Sequence, residues 1–390
     1  MSSSVKALDD WIRSRFLAIN TELEGHYLAL NTLVIDDEVT KPIKQSLIEE
    51  GKALISDILN NADDIPSTYE SRFYLLGNVG MYMAACRRHE CAKPLESGCS
   101  PLSEASTISF QLGSALGCAP RFMATHLGIY NRAEKGASRT FTTLEDEVIF
   151  LDYNTLGTLA YKKASDALER AMRFGITHTL SEYLFNDAKS ALEEVLKFNE
   201  ILADKLDVRH FFYNVRPYYK SYRVGRRDYR GANAGDFAAV NEIDLLLGLC
   251  SRDDPFYLDI VVDKEAYMPQ PEQLRLQSSI AQTSFMDQFL DEMEENKSLI
   301  QYQKNLRLFL EVCEIHGKAY AFHHDELVLK YIEKPSVNLP EDKMDDLTAS
   351  GPPLPVLLRS LGKLRDLRMA EDRADIPSRY ADIQKLKAIL

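Results

Sequence analysis

Residues 305–333 read NLRLFLEVCEIHGKAYAFHHDELVLKYIE. Leu306, Phe309, Val312, Cys313, His316, Tyr320, His324, Leu327 and Tyr331 recur there at spacings of three and four, the period of a helix with one apolar face. The same period runs upstream through AQTSFMDQFLDEMEENKSLIQYQK, 281–304. It returns in TLGTLAYKKASDALERAMRFGITHTLSEYLFNDAKSALEEVLKFNEILADKL, 155–206, with Glu and Lys between the apolar positions. The opening 50 residues and 70–90 are also helix-like. Only FYLDIVV, 256–262, is β-branched enough to be read as a short strand. No tandem repeat is visible. The expected fold class is all-α.

Breaks fall at 92–105, 131–143 and 335–355. They suggest a smaller N-terminal helical lobe over 1–140 and a larger helical domain over 141–390. The last break, PSVNLPEDKMDDLTASGPPLP, is Pro-rich, acidic and long for a connection, which suggests a lid.

With 390 residues, 45% hydrophobic and 27% charged, the chain has the balance of a globular protein able to bury a sizeable core. That excludes a disordered, collagen-like or disulfide-framework protein. The charge sum, 46 basic against 59 acidic residues, is −13, so neither nucleic acid nor an anionic membrane is an expected partner. No run approaches the ~18 apolar residues of a membrane span. The start, MSSSVKALDDWIRSRF, has no apolar signal region, and a cytoplasmic location is expected. The six cysteines are expected to be reduced thiols.

Three groups of residues have the chemistry for a site. His323 and His324 are adjacent on the long helix, and Tyr320, Leu327, Val328 and Tyr331 form an apolar collar around His324. An inward imidazole so collared suits an axial ligand to haem iron, although such a histidine is also a common core residue. The segment HFFYNVRPYYKSYRVGRRDYRGANAG, 210–235, is basic and aromatic. An inward arginine beside two aromatic rings is what an amino-acid carboxylate needs, whereas Arg226, Arg227 and Arg230 read as covering acidic neighbours. Cys86-x-x-His89-x-Cys91, with Cys99 beyond, has zinc-type residues without a zinc-knuckle spacing, and reads as structural. There is no phosphate loop, dinucleotide fingerprint, nucleophile elbow or zincin helix.

The stretches FFYNVRPYYKSYRVG (211–225), DYRGANAG (228–235), NEIDLLLGL (241–249), YMP (267–269) and HDELVLKYI (324–332) follow one another in an order that resembles the histidine-ligated haem dioxygenase superfamily of indoleamine and tryptophan dioxygenases. The likeness is nearest to its pyrrolnitrin-biosynthesis branch. FLDYNTLG (150–157) and YLLGNVGMYMAACRRHE (74–90) fit more loosely. The resemblance implies an indoleamine dioxygenase-like helical haem domain and haem b as cofactor. It makes His324 the proximal ligand and the metal site, with His323 directly before it as the alternative. It also puts Tyr331 in the following conserved-type stretch and Asp244 as a buried acid near the propionate side. Arg216 takes the place of the carboxylate-gripping arginine, and Phe211 and Phe212 that of distal-pocket rings. Asn233, Ala234 and Gly235 fall in a small-residue loop at the distal haem face, and Gly351 in the substrate-closing loop. Tyr153 stands where the family often has Ser. Where indoleamine dioxygenases keep an arginine three residues before the proximal histidine, this chain has Ala321, so propionate pairing differs.

The activity so implied is oxygenation of tryptophan or a related aromatic amino acid, with ring rearrangement in the nearest branch. Oxygen or peroxide is the oxidant, and no side chain is expected to be catalytic beyond the haem iron. A monomer or homodimer in specialised-metabolite biosynthesis is expected. The alternatives are a haem-binding or haem-sensing protein without turnover, and a haem-dependent hydroxylase of a tyrosine-type substrate.

Overall fold

The structure, a computed structural model, describes residues 2–30, 32–336 and 353–390. Among them the regular structure is helical apart from a two-stranded hairpin and an isolated bridge between Glu134 and Ala137. No described helix is long and apolar enough to cross a membrane.

The chain forms two compact units. The first is Met1–Asp152, Leu206–Asp236 and Pro335–Leu354; the second is Tyr153–Lys205, Phe237–Lys334 and Pro355–Leu390. This grouping is discontinuous and differs from a single cut near 140. The first boundary falls inside the helix Glu145–Phe174.

In the first unit, the helices Ser3–Ile12, Arg15–Ala29, Thr40–Asn60, Tyr69–Arg88 and Ser103–Leu116 bury a chain of aromatic rings. Phe141 stacks on Tyr218 at 4.3 Å and meets Phe122 edge-on at 5.7 Å. The Tyr69–Arg88 helix is buried almost all round, as its continuous small and apolar residues require. Gly80 is obligatory in it, because a Cβ there would stand 2.3 Å from the Phe122 backbone nitrogen. Tyr222–Val224 and Arg227–Tyr229 pair antiparallel across Gly225-Arg226. Gly225 has φ +58°, the conformation a two-residue hairpin turn demands at its first central position.

In the second unit, Thr179–Lys205 and Ile300–Phe322 supply much of the core, with Phe185, Phe285, Phe289 and Phe309 at its centre. FYLDIVV is not a strand: it lies in the helix Pro255–Glu265. Asp254 caps that helix by accepting from the Phe256 N–H at 3.1 Å, and Pro255 supplies a pre-set first turn. These local signals outweigh the β preference of Ile260, Val261 and Val262. The long helix expected through 305–333 is also different in detail. It is α from Ile300 to Phe322 and then π-wound from His323 to Glu333.

Candidate functional site

The candidate residues fall into two groups, one in each unit. In the second unit His324 opens the second residue of the π segment and is 7% exposed. Its Nδ1 is 2.8 Å from Asp325 Oδ1, and that oxygen also accepts from Arg365 Nη1 at 3.0 Å. Desolvation raises the Asp325 pKa, but the bonds from His324 and Arg365 hold the carboxyl below its ordinary value. An ionised carboxylate only accepts, so Nδ1 carries the hydrogen, which in the neutral ring leaves the lone pair on Nε2. That Nε2 is buried and has no hydrogen-bond partner among the described residues. Beside it runs the helix Leu354–Arg368. A Cβ built at Gly362 would stand 4.0 Å from Nε2 and meet no other heavy atom within that distance.

These residues fit a haem. Its iron needs a neutral imidazole nitrogen with a free lone pair, the second ring nitrogen tied to a carboxylate or carbonyl, and no side chain in the way. His324 has its second ring nitrogen tied to a carboxylate, and Gly362 puts no side chain beside Nε2. His323 is half-buried and its ring lies 6.3 Å from Tyr320. Burial and the nearby Arg368 pull its pKa down to about 4.

Tyr331 is buried and its hydroxyl donates to Ala203 O at 2.9 Å, while Lys330 Nζ donates to the same carbonyl at 2.6 Å. Both residues thus tie the π segment to the end of Thr179–Lys205. Asp244 is fully buried, in a closed ionic cluster. Its carboxylate accepts from Arg368 at 2.8 and 2.5 Å and from the Tyr257 hydroxyl at 2.9 Å, and lies 2.7 Å from His316 Nε2. Burial alone would raise its pKa, but Arg368 and His316 hold it far below the ordinary range. Tyr153 is half-buried, and Lys205 Nζ donates to its hydroxyl at 3.3 Å.

The first unit holds Phe211, Phe212 and Arg216 on consecutive tight turns. Asp207 starts them, accepting from the His210 N–H at 2.8 Å. Phe211–Val215 is π-wound, closed by the Arg216 N–H on Phe211 O, and Arg216–Tyr219 follows as a 3₁₀ turn. Pro217 explains the change of winding. It has no N–H to give the Tyr213 carbonyl, which accepts from Arg88 Nη2 at 3.1 Å instead. Arg88 also grips buried Glu24 through two bonds of 2.8 Å, and Asn214 Nδ2 donates to the same carboxylate at 2.8 Å. The segment is therefore pinned by a buried ion pair. Phe211 packs on Phe150 at 4.9 Å, and the Arg216 guanidinium lies 5.3 Å from the Phe212 ring centre. Burial pulls the Arg216 pKa down to about 10.

Asn233 and Gly235 form a tight loop with Ala234 between them. Asn233 Oδ1 accepts from the Gly235 N–H at 3.1 Å, and Asp236 accepts from Asn233 N at 3.0 Å and from Arg230 at 2.8 and 3.0 Å. Arg230 therefore covers an acidic neighbour, as expected. So does Arg223 on Asp228, whereas Arg226 donates to Cys99 Sγ at 3.4 Å. His89, between the cysteines at 86 and 91, is fully buried, with ring nitrogens 3.0 Å from the Tyr27 hydroxyl and 2.9 Å from Asn20 Oδ1. Gly351 lies outside the described residues, as does most of the expected lid.

Sequence reading missed four residues here. Asp325 was adjacent to His324 and visible as His-Asp, but Arg365, 40 residues from Asp325, and Gly362 on the same helix have no local pattern to announce them. Tyr219 is the fourth. It is buried, its hydroxyl has no hydrogen-bond partner among the described residues, and it follows Arg216 by three on a 3₁₀ turn, where such positions eclipse.

A family model described as Monodechloroaminopyrrolnitrin synthase PrnB matches residues 2–390. No curated protein matches the chain.

Proposed function

Because the chain belongs to the monodechloroaminopyrrolnitrin synthase family, we propose that it is a haem b enzyme that oxidises the indole of tryptophan or a close derivative in specialised-metabolite biosynthesis. The family lies in the haem dioxygenase superfamily, and its members are haem-dependent oxidoreductases. The observation that carries the reading to this chain's residues is the buried Nε2 of His324, which has no hydrogen-bond partner among the described residues.

In this reading His324 holds the iron through Nε2, and Asp325 fixes the tautomer that makes Nε2 available. The haem supplies the oxygen activation that side chains lack, with molecular oxygen or peroxide as oxidant. Arg216 grips the substrate carboxylate. Its buried guanidinium makes such a pair strong, because little water competes for either charge. The Arg216 guanidinium lies 5.3 Å from the Phe212 ring centre, and Phe211 is assigned as a second ring of the same substrate site. The pinning of Asn214 to Glu24 fixes that segment before substrate arrives, which limits the ordering cost of binding. Asn233, Ala234 and Gly235 are assigned as the small-residue loop that lets backbone approach cofactor and substrate, and Tyr153 as a neighbour of the substrate.

Absorption spectra of the haem-reconstituted protein test the reading. The wild type should show a Soret band that shifts on reduction and with carbon monoxide, and His324→Ala should lose it. Titration with tryptophan, chlorotryptophan and tyrosine should perturb the band for the true substrate class. In Arg216→Ala the band should persist while affinity for that ligand drops by roughly 10- to 100-fold, the worth of a charge-assisted bond. A colourless wild type, or His324→Ala with unchanged haem, overturns the assignment. A haem sensor without turnover would be indifferent to Arg216→Ala.

A further inference from the structure

We propose that Asp325 and Arg365 act as opposed positioning residues that set how strongly His324 donates to iron, Asp325 strengthening the bond and Arg365 restraining it. The proposal rests on the haem reading above, but its geometry is independent of it. His324 Nδ1 and Arg365 Nη1 converge on one oxygen, Asp325 Oδ1, at 2.8 and 3.0 Å. A carboxylate accepting from Nδ1–H draws that proton toward itself and gives the ring imidazolate character, which raises its basicity at Nε2. A guanidinium on the same oxygen withdraws part of the carboxylate's charge. Arg365 is held in place for this by a second bond, from its Nε to Asp366 Oδ1 at 2.9 Å.

The helix Leu354–Arg368 addresses both ends of the imidazole. Gly362 faces Nε2 with no side chain, and Arg365, three residues on and on the same helical face, reaches the carboxylate behind Nδ1. Arg365 is 32% and Asp325 45% exposed at the side chain, so neither is needed to fill the core. A hydrogen-bond relay with an exposed outer member is arranged to tune a ligand rather than to hold the fold together. The consequence falls on the iron: stronger donation favours the ferric state and weaker donation the ferrous state.

The experiment measures the ferric–ferrous reduction potential and the iron–histidine stretching frequency of the reconstituted protein. Asp325→Asn keeps an acceptor for Nδ1–H but removes the charge, and should raise the potential and lower the frequency. Arg365→Gln should do the reverse on both. Each shift should reach about tenfold in the ferric–ferrous equilibrium, about 59 mV for one electron. Arg359→Gln, an exposed change of the same charge on the same helix, should move neither. Shifts of equal sign in the two variants, or none, overturn the proposal, and so does an Arg359→Gln shift as large as that of Arg365→Gln. Each of the two variants carries its own sign, so either one decides. A wild type without haem, or haem that survives His324→Ala unchanged, fails the haem reading instead and is seen before any potential is measured.

Discussion

Glu147 sits at the start of the helix Glu145–Phe174, is 1% exposed, and accepts three hydrogen bonds. They come from the Phe141 and Thr142 N–H groups at 2.7 Å each and from the Thr142 hydroxyl at 2.6 Å. Desolvation outweighs them and pushes its pKa up from 4.5 to about 7. The folded chain therefore binds this proton more tightly than the unfolded chain does. Its stabilising contribution is complete below about pH 4.5 and is lost as pH rises to about 7, on the order of 3 kcal/mol in total. Urea titrations across that window should show stability falling with pH, and Glu147→Gln should flatten the fall. Asp244 works in the opposite sense. Its carboxylate is held below the ordinary range, so its contribution is present above about pH 4 and is lost only in stronger acid.

The helix Ala238–Leu247 presents Asp244 to its partners and ends at Gly248, whose φ is +81°. A Cβ there would approach Ser284 Oγ to 2.4 Å, so Gly248→Ala combines a left-handed strain with a clash. The expected loss is about 1–3 kcal/mol, read as a lower denaturation midpoint. The helices Thr179–Lys205 and Ile300–Phe322 were legible in the sequence because apolar spacing reports which face is buried. Spacing does not report winding. Leu327, Val328 and Tyr331 are buried beside His324 in a π-wound segment, as an α-helical wheel would also have placed them. For that reason neither Phe211–Val215 nor His323–Glu333 could be distinguished from α-helix by pattern. The Asp254-Pro255 pair did announce a helix start, but it was overshadowed by the branched residues that follow. Motif order identified His324 and Arg216 as residues of interest. The Arg365 contact depends on tertiary approach, and no periodicity encodes that.

At the scale of the whole molecule, the chain leaves one unit for the other after residues 152, 205, 236, 334 and 354. Neither unit is a contiguous piece, so the two should lose structure together. The chain's single tryptophan, Trp11, is buried in the first unit with its indole N–H on Glu50 at 2.7 Å, and so reports that unit. Arg368→Ala, in the second unit, leaves the Asp244 charge buried with one partner fewer and should cost about 3–5 kcal/mol. Trp11 emission and far-UV circular dichroism should then move to the same lower midpoint; separated midpoints would show two independent transitions. The Asp244–Arg368 pair also has a direction in time. Asp244 leaves the ribosome 124 residues before the guanidinium that neutralises it. Until residue 368 is made, the buried carboxylate lacks the guanidinium that offsets its charge, so closure of this core should be a late step of synthesis, and chains ending before residue 368 should be cut by protease faster than the full chain.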